Sequence, residues 1–175
     1  SDIAALHAKH TGINFEIYHD ELKRDTLLFK RLADLPDALE RQEFFLVYQP
    51  IIDLSTDRVL GLEALIRWQR EDRVLTPDQF IPLAEETKLI DHITEWVLDT
   101  ALESYERFDS IQEGLEIAIN VSYRNLFNPR LIERMVSRIK ESELKPHKLH
   151  IEMTESTLMR NRTSTQAFLS AFRKL

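Results

Sequence analysis

The sequence predicts an α/β fold in which parallel strands are joined by crossover helices. Three observations predict it. From residue 44 the elements read strand, strand, helices, strand, helix, strand, helix, and such alternation belongs to a parallel sheet. Helix starts are marked by caps that interrupt the strand pattern. At 43% hydrophobic and 30% charged over 175 residues, the chain can bury a core and stay soluble. The pattern fits part of a (β/α) barrel or a doubly wound sheet.

The elements follow in order. Residues 2–10 read as a helix ending at Gly12, a C-cap residue. Residues 13–18, INFEIY, alternate as a half-exposed strand does. From Asp20 to about Arg41 a helical pattern carries Leu27, Leu28, Arg31, Leu32 and Leu35, and Pro36 should end or kink it. This part reads as a connector. FFLVYQPIIDL (44–54) and VLGLEALIRW (59–68) read as two strands joined by the turn STDR (55–58), hence an antiparallel hairpin.

Thr76-Pro77-Asp78-Gln79 combines an N-cap threonine, a proline at the first helical position and a glutamine three residues on, the makings of a capping box. A second helix from about Asp91 carries Ile93, Val97, Ala101, Tyr105 and Phe108 on one stripe. LEIAINVS (115–122) is a strand. Asn128-Pro129 opens a helix with Leu131, Ile132, Met135, Val136 and Ile139 inward. KLHIEMTES (148–156) is a strand again. Thr163 to Gln166 predicts one more helix start, followed by an apolar stripe of Phe168, Leu169, Phe172 and Leu175.

The totals exclude several functions. A net charge of −7 disfavours nonspecific binding to nucleic-acid polymers or anionic membranes. With no cysteine there are no disulfides and no thiolate metal sites. No apolar run approaches the roughly 20 residues that span a bilayer, and no signal-peptide pattern is present, so a cytoplasmic location is expected. Three glycines and the absence of GxGxxG and GxxxxGK[ST] leave no phosphate-cradling glycine loop.

Core strands of a parallel sheet should be almost wholly apolar. Glu63, Asn120 and Glu152 each break that rule in a different strand. In a (β/α) barrel, polar residues near strand carboxyl ends mark the active site. Two carboxylates and an amide oxygen make a hard-oxygen set, suited to Mg²⁺, Mn²⁺ or Ca²⁺ and not to zinc. Arg67 shares a strand face with Glu63 but lies about 13 Å away at ~3.3 Å per residue, so the two could contact different parts of one extended ligand. Gly61 on that face leaves room for a neighbour. Gln49, just before Pro50, is a further polar contact. Glu152 and Glu155, three apart, face opposite ways, so one can be a ligand while the other supports a loop.

Each residue also has a plainer reading. Glu63 could pair with Arg67 or Lys148, Asn120 could cap a turn before Ser122, and Glu152 could lie at a solvated strand end. The scattered histidines and Glu85-Glu86 read as solvated or capping groups. Trp68 and Trp96 read as core.

At this point the chain resembles a known family. YQPIIDLSTDRVLGLEALIRW (48–68) resembles the opening of EAL domains, bacterial phosphodiesterases that cleave cyclic di-GMP, with the signature at Glu63-Ala64-Leu65. FIPLAEETKLI (80–90), INVS (119–122) and HIEMTES (150–156) are similar to the family's next blocks, in the family's order. The resemblance covers about residues 39–175 and implies a partial (β/α)8 TIM-like barrel with an antiparallel first strand. It implies that Glu63, Asn120 and Glu152 bind metal, Mg²⁺ or Mn²⁺, and that Glu155 holds a loop around the rest of the site. It implies that Arg67 contacts a substrate phosphate and Gln49 the guanine or phosphate.

ALHAKHTGINFEIY (5–18) resembles the close of a GGDEF domain, with His7 where many relatives carry tyrosine. The resemblance therefore divides the chain into a GGDEF-like tail (1–19), a helical linker (20–38) and the N-terminal part of an EAL domain (39–175). The family's later aspartate-pair block, DDFG, and its later lysine and glutamate are not in these 175 residues. Hydrolysis needs a metal pair to polarise the phosphoryl group and activate water. This chain is therefore expected to hydrolyse cyclic di-GMP negligibly, to hold metal weakly or not at all, and to self-associate through unpaired sheet edges. The rival reading is a non-cleaving EAL-like domain that senses the nucleotide or docks to another protein.

Overall fold

A computed structural model describes residues 35–153 and 162–175. The chain divides into two units, Ser1–Arg41 and Gln42–Leu175, each considered by itself. In the first unit, helix α1 spans Leu35–Ala38. Pro36 lies within those four residues, and the helical pattern that it should end or kink lies before them. The helix expected over 2–10, the strand over 13–18, the GGDEF-like segment and the helical pattern before residue 35 lie outside the described residues.

The second unit is a five-stranded sheet with helices. Strand β1 (Phe44–Asp53) pairs antiparallel with β2 (Arg58–Arg70), from Phe44↔Trp68 to Asp53↔Arg58. The register slips between Ile51 and Ile52. Pro50, which has no N–H to donate, is accommodated because β1 pairs on one side only among the described strands. Strand β2 runs two residues past its expected end. It turns back at Glu71, whose φ is 51°, into a short strand β3 (Arg73–Leu75) that the sequence pattern did not signal.

Thr76 then starts a 3-10 turn, Pro77–Gln79, with its N–H donating to Gln79 Oε1 at 2.9 Å. The expected capping box thus serves this turn. Helix α2 (Ile81–Glu86) begins after it, and α3 (Ile90–Asp109) follows. Strand β4 (Glu116–Asn120) leads through a 3-10 turn, Tyr123–Phe127, into α4 (Pro129–Glu141). A further 3-10 turn, Pro146–Lys148, precedes β5 (Leu149–Glu152), and α5 spans Arg162–Phe172. Thr163 lies one residue inside the start of α5, so the expected helix start is found there, though without Thr163 as its N-cap.

Strands β2, β4 and β5 are parallel, in the order β1-β2-β4-β5. A doubly wound sheet reverses its strand order at a switch point. Here the order simply follows the chain. The sheet is a partial (β/α) barrel wall with an antiparallel first strand.

Period-two alternation separates the two faces. Ala64, Ile66 and Trp68 on β2, with Ile117 and Ile119 on β4, are buried in the core with the inward stripes of the helices. Ile93, Val97, Ala101 and Tyr105 of α3 are buried as the pattern requires, and so are Leu131, Ile132, Met135 and Ile139 of α4. Phe44, Trp68 and Phe80 pack with ring centroids 5.6–5.8 Å apart. They lock the far end of β2 against the start of α2.

Candidate functional site

The opposite face of the sheet carries the chemistry. Cα partners across a ladder share a face, as do residues two apart on a strand. Gln49 is opposite Glu63 on β1, Ala118 is opposite Glu63 on β4, and Asn120 is opposite Glu152. Gln49, Glu63, Arg67, Asn120 and Glu152 therefore share one face. Asn120 and Glu152 are the last residues of β4 and β5. Glu63 lies near the end of the parallel β2–β4 ladder, which stops at Ala64↔Ile119. All three thus sit at carboxyl ends of parallel pairing.

Glu63 is level with Ala118, so Asn120 lies one pleat further along. Its side chain reaches back on the diagonal, Nδ2 donating to Glu63 Oε1 at 2.7 Å. With Nδ2 so used, Asn120 Oδ1 keeps its lone pairs for another partner. Neither plainer reading of Glu63 holds: Arg67 donates to the Ile66 carbonyl at 2.8 Å, and Lys148 donates to the Gly114 carbonyl at 2.8 Å. Asn120 caps no turn through this amide. Glu152 is exposed and has no side-chain partner among the described residues. Its backbone carbonyl accepts from Val121 N at 2.9 Å, tying the ends of β4 and β5 together. Glu155 lies outside the described residues.

Below these residues on the same face, Glu116 forms a small cluster. His150 Nε2 lies 2.6 Å from Glu116 Oε2, and Lys148 Nζ lies 3.5 Å from Oε1. Burial pushes the Glu116 carboxyl up, but the His150 hydrogen bond and the His150 and Lys148 charges outweigh it and hold it below the usual glutamate range. Gly61 permits the approach of β4 here: a Cβ on it would lie 2.6 Å from the Glu116 carbonyl oxygen.

A cavity of about 640 Å³ is lined by Glu63 and Asn120 together with core residues such as Ala64 and Ile66 and with Ile81, Glu85, Thr94 and Ser122. Glu85 is half-buried, not the solvated residue that its Glu-Glu context predicts. It accepts from Ser122 Oγ at 2.5 Å. Behind Ser122 stands Asn125, fully buried and bonded to Ser122 N, Thr94 and Asp91. Sequence reasoning missed Glu85, Thr94 and Asn125. The spacing Ser122-x-x-Asn125 is the signal that could have found the last, since it makes a cap.

Chemically, the face offers two carboxylates and an amide oxygen near one another, an arginine further along β2, and a cavity alongside. Among the described residues no three His, Cys, Asp or Glu side chains cluster as a metal site. A cation at this rim would draw on the amide oxygen of Asn120 beside the two glutamates, a set that fits Mg²⁺ or Mn²⁺ and not zinc. No helix among the described residues is long and apolar enough to cross a membrane.

Known proteins share this sequence pattern and fold. The family described as EAL domain matches residues 32–175. The chain is 35% identical over 175 residues to the bifunctional diguanylate cyclase/cyclic di-GMP phosphodiesterase MucR of Pseudomonas aeruginosa, covering 97% of this chain and 25% of that protein. It is 34% identical over 175 residues to a second cyclic di-GMP phosphodiesterase of that organism, covering 98% of this chain and 30% of that one. The chain thus spans between a quarter and a third of these relatives' lengths. Among solved structures, the MucR phosphodiesterase in complex with c-di-GMP superposes with a TM-score of 0.76 at 35% identity, over 83% of this chain and 60% of that one. The FimX EAL domain of Xanthomonas citri reaches a TM-score of 0.74 at 20% identity, over 87% of this chain and 59% of that one, a likeness of fold alone.

Proposed function

The chain belongs to the EAL domain family, and from that premise we propose that its site serves a metal-dependent cyclic di-GMP phosphodiesterase. The intact enzyme hydrolyses cyclic di-GMP to linear pGpG. The observation that carries this reading is the 2.7 Å hydrogen bond between Asn120 and Glu63 at the rim where Glu152 also ends its strand.

In this reading Glu63, Asn120 and Glu152 hold Mg²⁺ or Mn²⁺. The bound cation supplies Lewis acidity toward a phosphoryl oxygen and acidifies water. The protein's own groups do the rest. Asn120, by donating Nδ2 to Glu63, presents Oδ1 and fixes the carboxylate's rotamer. Arg67, further along the same face of β2, binds a phosphate oxygen by charge-assisted hydrogen bonds. Gln49, level with Glu63, contacts the guanine or phosphate. Glu155 takes the supporting role that the family resemblance implies for it. The cavity beside Glu63 takes an apolar part of the ligand against Ile81. In this reading the protein acts in the cytoplasm.

The three oxygen donors named among the described residues are half of the six that Mg²⁺ prefers; in this reading the chain holds the ion weakly and turns over cyclic di-GMP negligibly. Calorimetric titration of the chain with Mn²⁺ and with cyclic di-GMP tests the site. Binding of both is expected, with Glu63→Gln weakening Mn²⁺ by at least about tenfold, as loss of a metal partner typically does. Unchanged Mn²⁺ binding in Glu63→Gln, or no binding of either by the wild type, refutes the reading. Linear pGpG formed by the pure chain refutes its inactivity. Tight nucleotide binding by the full-length protein with no turnover favours the sensing role.

A further inference from the structure

The loop that leaves β4 buries Val121 and Leu126, and it is also held by a polar network around one buried amide. Asn125 is fully buried. Its Oδ1 accepts from Ser122 N at 2.9 Å and from Thr94 Oγ1 at 3.1 Å, and its Nδ2 donates to Asp91 Oδ1 at 2.8 Å. The second Asp91 oxygen accepts from Asn128 Nδ2 at 2.8 Å, at the start of α4. One amide thus joins the first turn of α3 to the backbone two residues beyond Asn120.

The consequences reach the rim. Segment 120–122 is fixed at two backbone points: Val121 N donates to the Glu152 carbonyl at 2.9 Å, and Ser122 N donates to Asn125. The direction in which β4 ends sets where the Asn120 side chain starts. Asn120 must then reach one pleat back to meet Glu63 at 2.7 Å. A buried amide bonded through both its oxygen and its nitrogen is stiff, because displacement leaves polar groups unpaired in a dry interior.

We propose that Asn125 is a positioning residue: through Ser122 and Thr94 it fixes the exit of β4 and so the orientation of Asn120 toward Glu63. Its effect on ion binding rests on the metal site proposed above; its effect on Asn120 does not. The role has the character of an outer partner that orients a ligand without touching the ion.

The test uses the whole chain, ¹⁵N-labelled, and follows the side-chain amide of Asn120, assigned by its loss in Asn120→Asp. In the wild type the two Nδ2 protons should be well separated in shift and slow to exchange, and Glu63→Gln should move them. Asn125→Ala should collapse the separation toward that of a free amide and weaken Mn²⁺ binding about tenfold. Met135→Ala, a buried change in α4 outside the network, should lower stability and leave the Asn120 signal in place. An unmoved Asn120 signal in folded Asn125→Ala overturns the proposal, as does an equal movement in Met135→Ala. If Asn125→Ala does not fold, Asp91→Asn keeps the shape and one acceptor, and a smaller shift in the same direction is expected; no shift there overturns the proposal as well. A wild type that shows the protected Asn120 amide but binds no Mn²⁺ would refute the metal site, while the amide signal still decides the role of Asn125.

Discussion

Replacing Gly61 by alanine should destabilise this domain through one atom. The glycine does not serve a turn; it lies within β2, opposite Ile51 on one side and Glu116 on the other. An added Cβ would lie 2.6 Å from the Glu116 carbonyl oxygen and 3.0 Å from its carbonyl carbon and Cβ. The obstacle is backbone, which cannot rotate aside as a flexible side chain would. Relief requires β2 and β4 to separate by several tenths of an ångström at the first rung of a ladder that runs only from Gly61↔Glu116 to Ala64↔Ile119. Overpacking of this kind costs about 1–3 kcal/mol. Loss of glycine's freedom in the unfolded chain returns roughly 0.4–1 kcal/mol. The difference is centred on about 1.3 kcal/mol, a shift in melting temperature of roughly 3–5 °C for a chain of this size. Urea and thermal melts followed by circular dichroism read it. A melting temperature equal to or above that of the wild type would show that the strands do not meet as closely as this reasoning requires.

Three further outcomes are expected. Glu116→Gln should flatten the acid limb of the stability curve. The depressed Glu116 carboxyl stabilises fully above the ordinary glutamate value of 4.5 and loses that contribution as pH falls through its lower folded value, so urea melts from pH 7 to pH 3 should lose less stability in the variant. Arg67→Ala should weaken cyclic di-GMP binding by roughly 10–100-fold, the loss of a charge-assisted hydrogen bond worth about 1.5–3 kcal/mol, with Arg67→Lys between the two; equal affinities in calorimetry would remove Arg67 from the phosphate. Strands β1 and β5 each lack a second neighbour among the described strands, and Ile51, Ile52 and Leu54 are exposed, so light scattering should find the chain self-associated, and a monodisperse monomer would contradict this.

Much of the molecule was determined by sequence alone, because its signals are local. The stripes of α3 and α4 and the hairpin of β1 and β2 were legible from periodicity within one element. So was the shared face of Glu63 and Arg67, since alternation on a strand needs no partner. The polar residues at the ends of β4 and β5 stood out against apolar surroundings for the same reason. Tertiary structure decided what depends on register between distant segments. That Glu63 stands level with Ala118, and meets Asn120 on the diagonal across 57 positions of chain, follows from how whole strands pack and not from any short pattern. The strand order that separates a barrel from a doubly wound sheet is of this kind too. So are the half-burial of Glu85, which reads as solvent-facing until Ser122 pairs with it, and the burial of Asn125, which Thr94 and Asp91 join from elsewhere in the chain. A side chain's local sequence sets which way it can point; only the assembled neighbours set what it meets there.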